Sequence, residues 1–556
     1  MSNIIWWREN LKQNRHLVRS NAGPSYVVIV SGTEADREYW EKRFALTKSE
    51  IFRSDNSTRV LSVHESIPKG NCLGTLNAWQ TLDATLREVG EGHPNDVILV
   101  SMMFGKGTRL SPFTQALGNC KPRFPTPYKS SSNNLYLSIG ELSNLYSNLL
   151  ISHLRKSGFW GLVVKWGDEV VIPGTRWDEK VCDYSDADAI RFVWFIEKPT
   201  DELAREKDWV LADPYTDSMT FQLARQKNIA TLLERVESKQ VSQESRLGVN
   251  LGSLAISYDF LSIMLDVFSE DLFDPCRSID WDPYVWVALA CENQREWQEE
   301  VEYESKLGNS NLVELESQYP DFFDKITRAK DLIEKRKGSP LSVKVLDFGS
   351  VFWNDFGQHI ALRRNLGVLT DDTDRGSLTR DLFGLPQEQD QRGNIIINSE
   401  IHPEAQIRNS LIIDSVITAA DTVIDRGIIV KSDHDIVRMP YGGIALFCTA
   451  RELTFNGPNA IAFHSIAPTI SLPEGGRHST LVSPNGDYQL FSNEAITDYK
   501  GDNYFNPVLD NVISFVEASA LVDGVNPEIL ASLGDKARNR ILKEISRKRK
   551  WQESPR

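Results

Sequence analysis

Six short runs of strand-forming residues, separated by stretches long enough for helices, constrain this 556-residue chain more than any other feature. They are Tyr26–Val30, Arg59–Val63, Val97–Val100, Gly161–Trp166, Ile190–Ile196 and Val343–Leu346. Several are rich in Val and Ile and end in a small or polar turn, such as Ser31-Gly32-Thr33 or Gly167-Asp168. Between them, helices are expected over residues 1–22, Glu34–Phe44, Gly70–Trp79 and Leu135–Lys156. Strand and helix in alternation predict an α/β fold, a mostly parallel sheet covered by helices on both faces. Such sheets bind ligands beyond the carboxyl ends of their strands, so the turns there carry the candidate chemistry.

The most distinctive turn follows Val97–Val100. It reads Phe104-Gly-Lys-Gly-Thr-Arg-Leu-Ser-Pro112, and Lys121-Pro-Arg-Phe-Pro125 comes shortly after. Gly105 and Gly107 allow a sharp turn that exposes backbone N–H groups, while Lys106, Arg109 and Lys121 add positive charge; such a loop suits a polyphosphate. Taken alone, a glycine pair after a strand is equally an ordinary tight turn. The setting sharpens the reading, because the chain carries a formal charge of −15, which argues against a general nucleic-acid or anionic-membrane binder. A phosphate site must then be local. Six cysteines without a C-x-x-C pair offer no zinc framework and suit the cytoplasm. Neither a secretory leader nor an uninterrupted apolar run of membrane-spanning length is visible.

The loop at 104–112 with the segment at 121–125 resembles the signature of sugar-1-phosphate nucleotidyltransferases, the nucleoside-diphosphate-sugar pyrophosphorylases. That resemblance implies a Rossmann-like domain, with Arg109 and Lys121 as catalytic residues and Gly105, Lys106, Gly107 and Thr108 holding the nucleotide. Here about a hundred residues precede the loop, whereas the usual family opens with it. An earlier glycine turn, Gly70-Asn71-Cys72-Leu73-Gly74-Thr75-Leu76-Asn77, completes an order of parts similar to the fucose-1-phosphate guanylyltransferase branch, including the pyrophosphorylase half of bifunctional fucokinase proteins. The likeness covers roughly residues 24–175 and is patchy beyond. It adds Gly70, Gly74, Thr75 and Asn77 to the implied nucleotide contacts, although a plain helix start capped by Thr75 is the local alternative. It further implies Asp168 and Asp355, the latter in Trp353-Asn354-Asp355-Phe356-Gly357, as Mg²⁺ ligands, and Glu197 and Lys198 as sugar-phosphate contacts. The implied substrates are an NTP, GTP preferred with UTP or dTTP as alternatives, and a sugar 1-phosphate. His359 and Arg363, four apart on one helix, could reach phosphate or serve as capping or core residues. No kinase-type glycine-serine loop is present. A non-catalytic nucleotide-sugar-binding regulator is the alternative from a different class.

The remaining chain sorts into modules. Residues 1–395 form the expected catalytic domain, with charge-rich helical insertions near 201–243 and 292–340. After Arg392, Ile401, Ile407 and Ile413 fall six apart, as do Ile417, Val423 and Ile429, which predicts a short hexapeptide-type parallel β-helix over 396–490, with a β-meander as the alternative. By resemblance it would be left-handed and could support a homo-oligomer. Residues 491–556 read as a C-terminal helical region, ending in a tail, Lys536 to Arg556, that holds nine Lys or Arg against two Glu.

Overall fold

A computed structural model of the chain describes residues 3–65, 69–90, 95–177, 182–239, 244–308, 311–496 and 501–552. Residues 240–243 of the first expected insertion and 553–556 of the basic tail therefore lie outside the described residues. The chain is a mixed α/β protein, and no described helix is long and apolar enough to cross a membrane.

Nine strands make the principal sheet: β1 (Tyr26–Ser31), β2 (Arg59–His64), β3 (Val97–Met102), β4 (Gly161–Trp166), β5 (Ala189–Phe195), β6 (Trp209–Ala212), β7 (Met219–Leu223), β8 (Arg246–Ser257) and β9 (Val343–Asp347). Their order is β7-β6-β8-β4-β3-β1-β2, with β5 also on β8 and β9 on β5. Strands β2, β1, β3 and β4 run parallel, and β9 runs parallel to β5. The long β8 is antiparallel to β4, β5 and β6, so the sheet is mixed. Because β8 opposes both β4 and β5, these two share a direction. The carboxyl ends of β1 to β5 thus open on one edge.

Period-two alternation explains why β1 is apolar throughout. Val27 and Ile29 enter one core while Val28 and Val30 enter the other; β3 splits its residues likewise, Val97 and Leu99 against Ile98 and Val100. One face is covered by helices that include Ile4–Arg19, Glu34–Ile51 and Asn148–Lys156, the other by helices that include Gly70–Glu88, Tyr258–Val267 and Phe322–Lys337.

Two expectations need correction here. The 201–243 stretch is not wholly helical, since Trp209–Ala212 and Met219–Leu223 pair as β6 and β7 and extend the sheet. These short apolar runs are masked in the sequence by charged neighbours. Leu135–Lys156 is not one helix either: Tyr136–Ser138 is a strand, and a reciprocal capping box between Ser138 and Glu141 starts the helix only at Ile139. By contrast, the stretch near 292–340 holds helices Gln294–Leu307, Asn311–Gln318 and Phe322–Lys337.

Beyond Arg392 the chain coils. Ile395, Leu411, Ile428, Ile444, Ile461 and Arg477 stack in parallel register, in steps that fall just short of three hexapeptides. The shortfall arises because tight corners replace extended residues. Asn398, Asp414, Lys431, Phe447 and His464 form one ladder of left-handed corners, and Asn409, Arg426, Gly442 and Asn459 form another. Serine hydroxyls tie successive coils together: Ser415, Ser432 and Cys448 donate their N–H groups to the Oγ of Ser399, Ser415 and Ser432. Inside lie Ile407, Ile417, Ile424 and Ile429, with Ile424 rather than Val423 pointing inward. Ile413 faces outward and joins the core of the α/β unit, together with Val430, Leu446 and Phe463. Phe463 stacks on Phe124 at 4.6 Å and meets Phe113 edge-on at 5.4 Å. The coil has an interior of its own, yet one of its faces belongs to the α/β core.

Candidate functional site

The loop after β3 leaves the sheet at its carboxyl edge. Gly105 (φ 110°) and Gly107 (φ 60°) take left-handed conformations that favour glycine. At Gly107 a side chain would also collide, since an added Cβ would lie 2.7 Å from Thr114 Cγ2 and 3.0 Å from Lys121 Cβ. The loop is pinned at its base by Lys121 N–H to the Gly105 carbonyl (3.2 Å) and by Thr114 Oγ1 to the Gly107 carbonyl (3.1 Å). Its own amides are left over. Among the described residues, the backbone N–H groups of Gly105, Lys106, Gly107, Thr108 and Arg109 donate to no protein acceptor. Arg109 is exposed beside them, and exposed Lys106 meets Asp523 of the C-terminal region at 3.0 Å.

Asp168 and Asp355 are brought together by a device absent from the sequence reading. Of the two, only Asp168 follows a parallel strand, β4. Asp355 ends a two-stranded antiparallel ribbon, Phe352–Asp355 on Glu169–Ile172, in which Asp355 sits opposite Glu169. The Phe356 N–H donates to the Asp168 carbonyl at 3.1 Å, and Gly357 N–H to Asp355 Oδ1 at 2.6 Å. Lys121 Nζ forms an ion pair with Asp168. The convergence is measured by Gly357: Asp355 Oδ1, Lys121 Nζ and Asp168 Oδ2 lie 2.9, 3.1 and 3.2 Å from the point its Cβ would occupy. One ammonium and two carboxylates therefore surround a single point in space.

Behind this cluster lie groups that the sequence reading missed. Lys165 reaches Glu169 at 3.3 Å, Trp353 Nε1 donates to the other Glu169 oxygen at 2.9 Å, and Lys207 sits 3.8 Å over the Trp353 ring. The signal was a single lysine inside the apolar run Gly161-Leu-Val-Val-Lys165-Trp, which needs a counter-charge when buried. Burial raises the Asp168 carboxyl, but the ammonium of Lys121, helped by Lys165, outweighs it and holds the group below its ordinary value. For Glu169, burial and the neighbouring Asp168 and Asp355 prevail over Lys165 and push the carboxyl up. Two acids in one cluster are thus pushed in opposite directions.

Other expected residues are placed as follows. Gly70–Asn77 form the first two turns of helix Gly70–Glu88, and their amides are already taken: Cys72 and Leu73 donate to the Ile279 carbonyl and Asn71 to Asp280 Oδ1. Thr75 is buried, accepting from Trp281 Nε1 at 3.2 Å, and Gly74 is held against Glu65. The helix does begin at the ligand edge, but its first turn is closed by the chain itself. Glu197 and Lys198 are exposed just past β5, on the same edge as Asp168. His359 is buried, with Nε2 against the Ser111 carbonyl at 2.8 Å, and Arg363 pairs with Glu494 at 3.1 Å, so both hold structure. Arg123 is spent on Asp36 and the Tyr39 ring.

Among the described residues no group of three or more His, Cys, Asp or Glu gathers to hold a metal ion. Two carboxylates in reach of each other suit Mg²⁺, which accepts one or two protein oxygens and completes its shell with water and phosphate. No protein-family model matches the chain, and no curated protein matches it either. The functional reading therefore rests on the residues themselves.

Proposed function

We propose that the chain is a nucleotidyltransferase that joins an NTP, GTP preferred, to a sugar 1-phosphate, releasing pyrophosphate and forming a nucleoside-diphosphate sugar. In this reading a Rossmann-like catalytic unit is followed by a left-handed β-helix, and the enzyme works in the cytoplasm, which its six unpaired cysteines suit. The observation that carries the proposal is the run of five unpaired amides, Gly105 to Arg109, facing the ligand edge between two cations and the Lys121–Asp168–Asp355 cluster.

The chemistry follows from charge. A phosphate oxygen of the sugar 1-phosphate attacks the α-phosphorus in line; the new P–O bond forms as the bond from the α-phosphorus to the α–β bridging oxygen breaks, and that oxygen leaves as a terminal oxygen of pyrophosphate. No general base is required, because the attacking oxygen is already anionic. What the chain supplies is position and stabilisation: the loop amides and Arg109 meet the charge that accumulates on the leaving pyrophosphate, and Lys121 steadies the transferring phosphate. Asp168 and Asp355 would hold Mg²⁺, which when bound neutralises phosphate charge. Glu197 and Lys198, exposed on the same sheet edge, would contact the sugar phosphate. The preference for GTP comes only from the resemblance of the order of parts to the fucose-1-phosphate guanylyltransferase branch, since the first amides of Gly70–Asn77 are taken up by Ile279 and Asp280.

The test is a matrix of NTPs against sugar 1-phosphates, read by pyrophosphate release with Mg²⁺ present. Turnover in any cell supports the class, and the best cell identifies base and sugar. A blank matrix in which nucleotide sugars still bind would replace the enzyme by a regulatory binding subunit.

A further inference from the structure

A second cavity lies away from the loop and the acid cluster. Helix Asn148–Lys156 ends shortly before β4 begins at Gly161, which puts its last turn at the amino edge of the sheet, opposite the Gly105–Arg109 loop. There a cavity of about 220 Å³ opens between this helix, the helix Ile4–Arg19 and the segment before Trp177. Its walls include Trp6, Ser152, His153, Lys156, Arg176 and Trp177. Asn10 fixes the segment in place by donating its side-chain amide to the carbonyls of Pro173 and Thr175 at 2.7 and 3.0 Å.

His153 makes the cavity more than a surface dent. The residue is 3% exposed, and its Nδ1 lies 3.1 Å from the Trp177 carbonyl. A carbonyl can only accept, so Nδ1 carries the proton and Nε2 presents a bare lone pair. Nε2 is buried and has no hydrogen-bond partner among the described residues. An unpaired buried acceptor is costly, and it asks for a donor from outside the chain. The two other features of the walls are charge and flat apolar surface: Lys156 is exposed at the rim, and Arg176 lies 5.7 Å over the Trp6 ring. The ligand that satisfies all three carries a negative group, a hydroxyl donor and a ring face.

We propose that this cavity is a second ligand site that takes a phosphorylated sugar. Its phosphate meets Lys156, its ring lies against Trp6 and Trp177, and one hydroxyl donates to His153 Nε2. This site does not depend on the nucleotidyltransferase reading.

Glucose 6-phosphate is the probe, because its phosphate is not on the anomeric carbon and it cannot serve as the acceptor of nucleotidyl transfer. The full chain is titrated with it and followed by tryptophan fluorescence and calorimetry. Saturable one-to-one binding is expected, retained in Lys121→Ala and Lys156→Arg but weakened about 10- to 100-fold in Lys156→Ala, the loss typical of one charge-assisted hydrogen bond. His153→Phe keeps a ring and removes the acceptor, so it should bind more weakly than the parent; if it fails to fold, the exposed Lys156 variants decide. The proposal is overturned by the absence of saturable binding at millimolar probe, by equal binding of unphosphorylated glucose, or by binding that Lys156→Ala leaves unchanged and Lys121→Ala abolishes.

Discussion

Replacing Gly357 by alanine tests the acid cluster with a single methyl group. The added carbon would stand 2.9 Å from Asp355 Oδ1, 3.1 Å from Lys121 Nζ and 3.2 Å from Asp168 Oδ2, all inside ordinary contact distance. Each of these atoms is the free end of a side chain, and Gly357 is not among the glycines in the left-handed region, so the main chain has no reason to move. The Lys121 and Asp168 side chains are only 14% and 22% exposed, so their ion pair is shifted rather than broken, and the off-rotamer adjustment costs about 0.5–1.5 kcal/mol. Against that, Gly→Ala restricts the unfolded chain and returns roughly 0.4–1 kcal/mol. The melting temperature should therefore stay within about 2 °C of the parent. Activity should not. Pushing a cation and two carboxylates out of place by several tenths of an ångström attacks positioning directly; a misplacement of about 1 Å can cost on the order of 10²-fold in rate, so a loss of about tenfold or more is expected. The assay is pyrophosphate release at saturating NTP, sugar 1-phosphate and Mg²⁺, alongside calorimetric melting. Turnover within threefold of the parent would refute the idea that these three groups act from this point, and a large fall in melting temperature would assign the effect to folding instead.

Arg109→Ala should leave melting unchanged, since the side chain is exposed, yet cut turnover by about 10²–10³, the usual loss for one preorganised donor; near-parental rates would remove Arg109 from the mechanism. Glu65→Gln tests linkage: burial pushes the Glu65 carboxyl up to about 7, and its Oε1 has no hydrogen-bond partner among the described residues. Between about pH 4.5 and 7 the folded chain keeps a proton that the unfolded chain has released, so this group lowers stability as pH rises. The glutamine variant should match the parent near pH 4 and exceed it by roughly 3 kcal/mol at pH 8 in denaturant unfolding, and a gap that shrinks with pH would reverse the sign. Phe463→Ala should cost about 3–5 kcal/mol and destabilise coil and α/β unit in one transition, because Phe463 packs on Phe113 and Phe124; two separated transitions would make the coil independent.

Strand and helix alternation was legible because β1, β3 and β4 are buried on both faces, which leaves continuous apolar runs that no solvated element carries. The loop at 105–109 was legible for a related reason: glycines and cations beside a strand end are a local pattern with local consequences. Pairing of Asp168 with Asp355 is not local. It depends on an antiparallel ribbon between Glu169–Ile172 and Phe352–Asp355, segments far apart in the chain, and neither short strand announces its partner. Gly70–Asn77 misled for the opposite reason. Its sequence suits a phosphate turn, but the distant residues Ile279 and Asp280 take up its amides. In the coil, apolar spacing near six was visible, whereas the corner ladders that set the true repeat rest in part on positive φ at Arg426, Lys431 and Phe447, residue types that give little warning of it.

Charge at the candidate site comes close to cancelling. Lys106, Arg109 and Lys121, with Lys165 and Lys207 behind them, contribute five positive charges, and Asp168, Glu169, Asp355 and Asp523 contribute four negative ones, with Lys106 paired to Asp523, Lys121 to Asp168 and Lys165 to Glu169. On the proposed function a triphosphate with several negative charges thus meets a cluster with little net attraction, on a chain whose formal charge is −15. Long-range steering cannot gather it. What remains is directional: five amides with no other partner, and two carboxylates whose charge a divalent cation can cancel while sharing the phosphate oxygens. On the proposed function such a site would bind nucleotide weakly until Mg²⁺ arrives with it, because the cation turns the balance firmly positive. It then discriminates by the geometry of N–H groups rather than by the strength of a field.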